Sequence, residues 1–257
     1  MSEPRLPAPA AERYELSQGA FALAPGVLWL QGARAIVAAD VHFAYEDVIG
    51  GALPTWSTAE IAALLAVVAR RMQAREIVLL GDIIHGSRMS AGAARAVAGA
   101  LDLLRGEATL TLVAGNHEGR TRGFDVLGQT VEEIERDGWL LLHGDRPPRA
   151  GVRAAIGHLH PSIHMGGGLN APAFLSGERI IVLPALTPYS PGLDVCSEGC
   201  LAALRPYGAT RRELCVTAVG ADRVYPFGSL ADLKKTIARP GASGPRDRFR
   251  RKFLRPD

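Results

Sequence analysis

An asparagine and a histidine stand side by side in Gly115-Asn116-His117-Glu118, directly after the apolar residues Leu110, Leu112, Val113 and Ala114. Polar groups set against a core need partners, and packing gives no reason to choose these two. They make chemical sense as the middle of a metal-centred hydrolytic site, provided that other ligands come from elsewhere in the chain. Asp40-Val41-His42 lies upstream, Gly81-Asp82 between, and His143-Gly144-Asp145 and Gly157-His158-Leu159-His160 downstream. Five of the seven histidines fall in these motifs, so the set is concentrated rather than scattered. A pair of divalent cations needs a bridging carboxylate, imidazoles and carbonyl-type oxygens, with positions left open for water and substrate. Nitrogen and oxygen donors without thiolate suit Mn²⁺, Fe or Zn²⁺ without choosing among them; Mn²⁺ is the expected metal, with Fe or Zn²⁺ as alternatives. On a strand, residues two apart share a face, so Asp40 and His42 would reach one metal. His158 and His160 would do the same, unless a turn between them sends them to different metals.

The elements that must position these residues are legible as a repeat of strand, motif and helix. Val27 to Leu30 and Ala35 to Ala39 read as strands, the second delivering Asp40 and His42. Ser57-Thr58-Ala59-Glu60 has the form of a capping box opening a helix that runs to about Met72. Ile77 to Leu80 is a short strand before Asp82, a helix follows from Ala93 to Arg105, and Thr109 to Val113 leads to Asn116. A charged helix is expected around Val131 to Arg136, then strands Trp139 to Leu142 and Arg153 to Ile156 before His143 and His158. Polar motifs at the carboxyl ends of strands are where open α/β sheets bind ligands. Beyond His160, Arg179 to Leu183, Glu213 to Val219 and Arg223 to Phe227 suggest a second, more antiparallel sheet. His85 and His164 carry no assigned role: His85 is close to the metals in sequence, with a supporting or a surface place equally open.

The chain of 257 residues fits one large domain, 13–230, between a flexible Pro- and Ala-rich segment, 1–12, and a basic tail, 231–257. Nothing in the hydrophobic content of 47% argues for disorder, and no apolar run is long enough for a membrane span. Neither a membrane partner nor a signal peptide is expected, which makes the reading cytoplasmic. Three cysteines are too few and odd in number for a disulfide framework. The tail carries nine Lys and Arg against three Asp, a net +6 within a total of +3, so the remainder is mildly acidic. That tail could meet DNA, RNA or another anion; plain solvated charge is the other reading.

Asp40-x-His42, Gly81-Asp82, Gly115-Asn116-His117-Glu118, His143-Gly144 and Gly157-His158-x-His160 occur in the order of the calcineurin-like metallophosphoesterases, which this chain resembles over most of residues 35 to 165. The resemblance implies two β-sheets packed together and flanked by helices, a four-layer α/β/β/α fold. It implies one metal held by Asp40, His42 and His160, another by Asn116, His143 and His158, and Asp82 bridging them. It also implies phosphoester hydrolysis by a water activated between the metals. His117 would stand beside the substrate phosphate and stabilise developing charge or protonate the leaving group, with Glu118 orienting its ring. Arg120 and Arg122, close behind, could clamp the phosphate.

Within the superfamily, phosphoprotein phosphatases carry an Arg before the Gly-Asn-His-Glu motif, where this chain has Ala114. Too little chain follows the metal motifs for the capping domain of the large repair nucleases. Asp40 to Glu46, Gly157 to Pro161 and Leu183-Pro184-Ala185-Leu186 instead resemble small bacterial and archaeal phosphoesterases, including ligase-associated DNA-repair endonucleases of the PdeM type. The expected activity is therefore a phosphodiesterase with nucleic acid as one substrate class. A phosphatase or phosphodiesterase for nucleotide-like small molecules is the alternative, and a non-catalytic scaffold is the third.

Overall fold

The apolar runs that precede the polar motifs are strands, and they lie side by side. The computed structural model describes residues 12–50, 56–85, 89–116, 124–165 and 168–237. Across the first sheet the order is β1 (Arg13–Ser17), β2 (Ala20–Leu23), β3 (Val27–Leu30), β4 (Ala35–Ala39), β5 (Glu76–Leu80) and β6 (Thr109–Val113). The first four form an antiparallel meander, whereas β4, β5 and β6 run parallel. Parallel neighbours require crossovers, which α1 (Tyr45–Ile49) with α2 (Trp56–Met72), and then α3 (Ala91–Glu107), provide. β4 is buried along its whole length, as a strand covered on both faces must be. Its Ile36 and Ala38 join the core under α2 and α3 with Leu65, Val97 and Leu101, while Val37 and Ala39 face the other way.

The second sheet comprises β7 (Glu133–Arg136), β8 (Trp139–Leu142), β9 (Ala154–Ile156), β10 (Pro161–His164), β11 (Asn170–Ser176), β12 (Ile180–Val182), β13 (Leu193–Asp194), β14 (Cys215–Val219) and β15 (Val224–Ser229). Its order is β13-β10-β11-β12-β9-β8-β7, with β14 pairing β11 and β15, and β8, β9 and β12 run parallel. Trp139, Leu141, Phe174 and Ile181 pack against Val37, Val78 and Leu80 to make the core between the sheets. The outer face is closed by α4 (Glu198–Leu204) and α5 (Leu230–Ile237), whose Leu204 and Leu233 share a cluster with Leu142, Ile156 and Leu175. The result is the four-layer α/β/β/α sandwich.

Two local expectations are corrected. Glu133–Arg136 is a strand, not a helix, and it turns back into β8 through Asp137 and Gly138, both at positive φ (50° and 71°). Asp-Gly between alternating residues is a strong hairpin signal, and it overrides the helical look of the charges. Ser57 is not a helix cap, because α2 already includes Trp56; the Ser57 N–H instead donates to Glu46 Oε1 at 2.9 Å. A carboxylate from α1 thus satisfies a donor that the first turn of a helix leaves open. The strands β1, β2, β10, β11 and β13 go beyond those anticipated, and Pro172 within β11 explains why that run did not read as one.

Candidate metal centre

The parallel strands β4, β5 and β6 of one sheet and β8 and β9 of the other end at a common rim, and each releases one polar motif there. Strand alternation does not aim Asp40 and His42. Both lie beyond the last residue of β4, with φ of 51° and 45°. Asp82, His158 and His160 also adopt left-handed backbone, at 42°, 61° and 44°. Asp and His are among the side chains that enter this region most readily, yet each such residue costs on the order of 1–3 kcal/mol. Five of the nine non-glycine residues with positive φ among the described ones are these, so the strain is concentrated at the rim. The curled backbone is what separates His158 from His160: the turn sends them to different partners.

Two groups form. Ligand-type atoms of Asp40, His42 and His160 lie within 4.8 Å of one another, and so do those of Asp82, His143 and His158. Asn116 comes to the second group, its Oδ1 2.8 Å from His143 Nε2. That nitrogen also lies 3.1 Å from His158 Nδ1 and 3.5 Å from Asp82 Oδ1. Asp40 touches both groups, with Oδ1 3.2 Å from His160 Nε2 and 3.7 Å from His143 Nδ1. Its Oδ2 accepts the His158 backbone N–H at 2.8 Å, which fixes the carboxylate. The first two motifs are stitched by the His42 N–H donating to the Asp82 carbonyl at 3.0 Å. Glycine is required where side chains close in. A methyl group at Gly81, itself at φ 71°, would overlap the His143 ring, and one at Gly157 would overlap the Asp40 carboxylate.

Electrostatics favours a cation over protons at this rim. Asp40, Asp82 and His143 are buried, and Asp40 Oδ1 and His143 Nδ1 have no well-aligned hydrogen-bond partner. Burial pushes His143 down to about 4, and the neighbouring His158 and His160 act in the same sense, against the pull of Asp40 and Asp145. His143 is therefore neutral at pH 7 and offers a lone pair, the form in which imidazole binds metal. His160 is also pushed down by burial, but contact with Asp40 and the charges of Asp40 and Asp82 outweigh this and leave it raised. Convergent imidazoles, carboxylates and an amide oxygen, some left without partners, fit a divalent cation and specifically a nitrogen–oxygen set without thiolate. The described cysteines Cys196, Cys200 and Cys215 are free and away from it in sequence.

His117, Glu118, Arg120 and Arg122 lie outside the described residues. His85 proves to be half-buried, its Nδ1 3.1 Å from His42 Nδ1 and its ring 4.8 Å from that of His42. His164 is half-buried, with Nε2 3.3 Å from the Gly192 carbonyl. Residue-by-residue reading missed Ser190, whose Oγ is 2.7 Å from His160 Nδ1, and Tyr189, whose hydroxyl donates to the buried Glu46 at 3.0 Å. No motif flags them. They arrive because Leu186 and Thr187 N–H donate to the Ala39 and Asp40 carbonyls at 3.0 and 3.3 Å, drawing the segment after β12 to the rim.

A family model described as calcineurin-like phosphoesterase matches residues 33–175, which takes in both groups. This chain belongs to the calcineurin-like phosphoesterases. Family members hold divalent metals and hydrolyse phosphoesters, so the chain is a hydrolase acting on ester bonds. Its fold is similar to that of the nuclease MPE of Pseudomonas putida, with a TM-score of 0.62 and 22% identity over 85% of this chain and 100% of that one. The phosphoesterase Yfce of E. coli is a more distant structural match, with a TM-score of 0.34 and 16% identity over 77% of this chain and 93% of that one. Among curated proteins, none matches this sequence. No described helix is long and apolar enough to cross a membrane.

Proposed function

We propose that this phosphoesterase is a binuclear phosphodiesterase, with Mn²⁺ as the working metal and nucleic acid among its substrates. The observation that carries the reading is the pair of ligand groups at one rim, joined by Asp40 and built on a neutral His143. Asp40, His42 and His160 would hold one cation, and Asn116, His143 and His158 the other, with Asp82 shared between them. Cations held there would supply an acidified water and neutralise charge on the phosphate oxygens. The chain's own task is to hold these donors in place: Asp40 is pinned by the His158 N–H, and His160 is oriented by Ser190. Next to Asn116 in the chain, His117 would donate a proton to the leaving oxygen, with Glu118 setting its tautomer and Arg120 and Arg122 drawn to the phosphate. The P. putida protein of similar fold is a nuclease, which agrees with a diester substrate here, and the basic tail offers charge for a polyanion.

Hydrolysis of bis-p-nitrophenyl phosphate and p-nitrophenyl phosphate, with Mn²⁺ and with chelator, tests this reading in wild type, Asp82→Ala and His117→Ala. Diester cleavage that requires Mn²⁺ and is lost in Asp82→Ala is expected. His117→Ala is expected to fall by roughly 10²–10⁴-fold. Cleavage of the monoester alone would replace the diesterase by a phosphatase, and full activity in His117→Ala would remove that residue from the mechanism.

A further inference from the structure

Beside the metal centre lies a cavity of about 440 Å³, bounded by His160 on one side and by Tyr189, Thr187 and Asn170 on others. That size falls within the roughly 300–1,000 Å³ of small-ligand sites. No Lys, Arg, Asp or Glu is among the described residues that line it. A second cleft, of about 310 Å³, opens beside His143 and is lined by Glu132, Glu133 and Asp145 as well as Arg146 and Arg149. The two clefts therefore flank the centre and differ in charge, and a phosphodiester has two arms to place.

The neutral cavity is built around a fixed aromatic ring. Tyr189 donates its hydroxyl to Glu46 Oε1 at 3.0 Å, and Glu46 is in turn buried and held by the Ser57 N–H at 2.9 Å. The Tyr189 ring stacks on Tyr45, centroids 4.8 Å apart and planes 13° from parallel. Held from below and at its tip, Tyr189 is still 39% exposed as a residue. Such a ring loses little freedom on binding a flat partner. Across the cavity, Asn170 gives its amide to the Pro191 carbonyl at 3.0 Å, which orients its own carbonyl oxygen as an acceptor.

Resting on the phosphodiesterase reading above, we propose that this cavity is a nucleoside subsite, in which the base of one arm of the diester stacks on Tyr189 while the phosphate lies at His160. An arm carrying another phosphate finds no Lys or Arg among the described residues of this cavity, whereas the second cleft offers Arg146 and Arg149 beside its carboxylates. A flat, neutral group with hydrogen-bonding edges matches the aromatic, amide and hydroxyl lining. Tyr189 and Asn170 would thus select which diester is cut at the centre that His160 helps to build.

Two esters with the same leaving group isolate the arm in question: the p-nitrophenyl ester of thymidine 5′-phosphate and methyl p-nitrophenyl phosphate. The ratio of their kcat/KM values is read for wild type, Tyr189→Ala and Tyr189→Phe. Wild type is expected to favour the nucleoside ester by about tenfold or more, and Tyr189→Ala to lose most of that preference, since one base–aromatic stack is worth roughly five- to a hundredfold. Tyr189→Phe, which keeps the ring, is expected to retain it. Calorimetric binding of a dithymidine phosphate to the full-length chain in chelator adds a readout that needs no turnover, with wild type expected to bind more tightly than Tyr189→Ala. If both esters are cleaved with equal efficiency by wild type, or the ratio is the same in Tyr189→Ala, the subsite is wrong and the diesterase stands. If neither ester is cleaved but the binding difference persists, the subsite stands and the diesterase falls.

Discussion

Gly81 and His143 show how closely the rim is built. The His143 ring lies over the glycine Cα, and any side chain there meets both the ring and a backbone at φ 71°. Gly81→Ala is therefore expected to displace a proposed ligand without touching a charge, with metal-dependent turnover reduced by roughly 10–100-fold. Steady-state kinetics over a Mn²⁺ titration checks it, and unchanged kinetics would mean that His143 does not need its present position. The buried, neutral state of that ring also has a cost in acid. Its folded value of about 4 lies below the ordinary 6.5, so between these pH values the unfolded chain binds more protons. The stability it contributes is full above the ordinary value and is lost as pH falls towards 4, amounting to roughly 3 kcal/mol at most. His160, raised instead, contributes in the opposite sense, at low pH, and that part is lost as pH rises. Urea midpoints of the chelated protein are expected to drop between pH 7 and pH 4.5, and the drop should shrink in His143→Gln. A drop of the same size in His143→Gln would show that the ring is not the group responsible.

At the level of elements, the two sheets are tied at the end away from the metal rim. Glu76 at the start of β5 receives two bonds from Arg136 at the end of β7, at 2.6 and 2.9 Å, and a third from Thr111 of β6 at 2.6 Å. Burial pushes the Glu76 carboxyl up, but the bonds from Arg136 and Thr111 and the charge of Arg136 outweigh it and hold it below its ordinary value. Arg136→Met leaves a largely buried carboxylate with one partner fewer. A loss of about 2 kcal/mol is expected, below the full cost for a buried pair because Arg136 remains partly exposed. In a melt this is a fall of roughly 4–8 °C, which Glu76→Gln in the same chain should partly restore. An unchanged melting temperature would mean that core packing alone joins the sheets. Arg136 reaches Glu76 from the end of strand β7, so this clamp was hidden from a reading in which Val131 to Arg136 is a helix.

For the whole molecule, charge is divided between a mildly acidic body and a basic C-terminal segment. The part of that segment on α5, with Lys234 and Lys235, pairs with Glu198 and Asp232 at 3.2 Å. Residues 238–257 hold seven Lys and Arg against two Asp, a composition suited to a polyanion. Truncation after Ile237 is expected to weaken binding to single-stranded DNA and to flatten its dependence on salt, by about 0.7 in the log–log slope for each phosphate that the tail no longer neutralises. Binding measured between 50 and 200 mM salt (roughly the range over which counterion release is steep) decides it. Equal slopes for the two chains would assign the tail to solubility instead.

The amino-acid sequence by itself determined the chemistry and the order of its parts. Asp40, His42, Asp82, Asn116, His143, His158 and His160 stand out because polar groups set after apolar strands need partners, and the metal-binding task proposed above would give them one. The strands themselves were legible where burial on both faces makes them continuously apolar, as in Ala35–Ala39. Only the tertiary structure decided how the motifs point: Asp40, His42, Asp82, His158 and His160 all adopt left-handed backbone, which Asp and His tolerate but which no local pattern specifies. It also brought in Tyr189 and Ser190, distant from the motifs in the chain and of ordinary type, through backbone bonds from Leu186 and Thr187 to Ala39 and Asp40, and so set the Tyr189 hydroxyl against Glu46. Local sequence specifies which groups can act; the packing of two sheets specifies which of them meet.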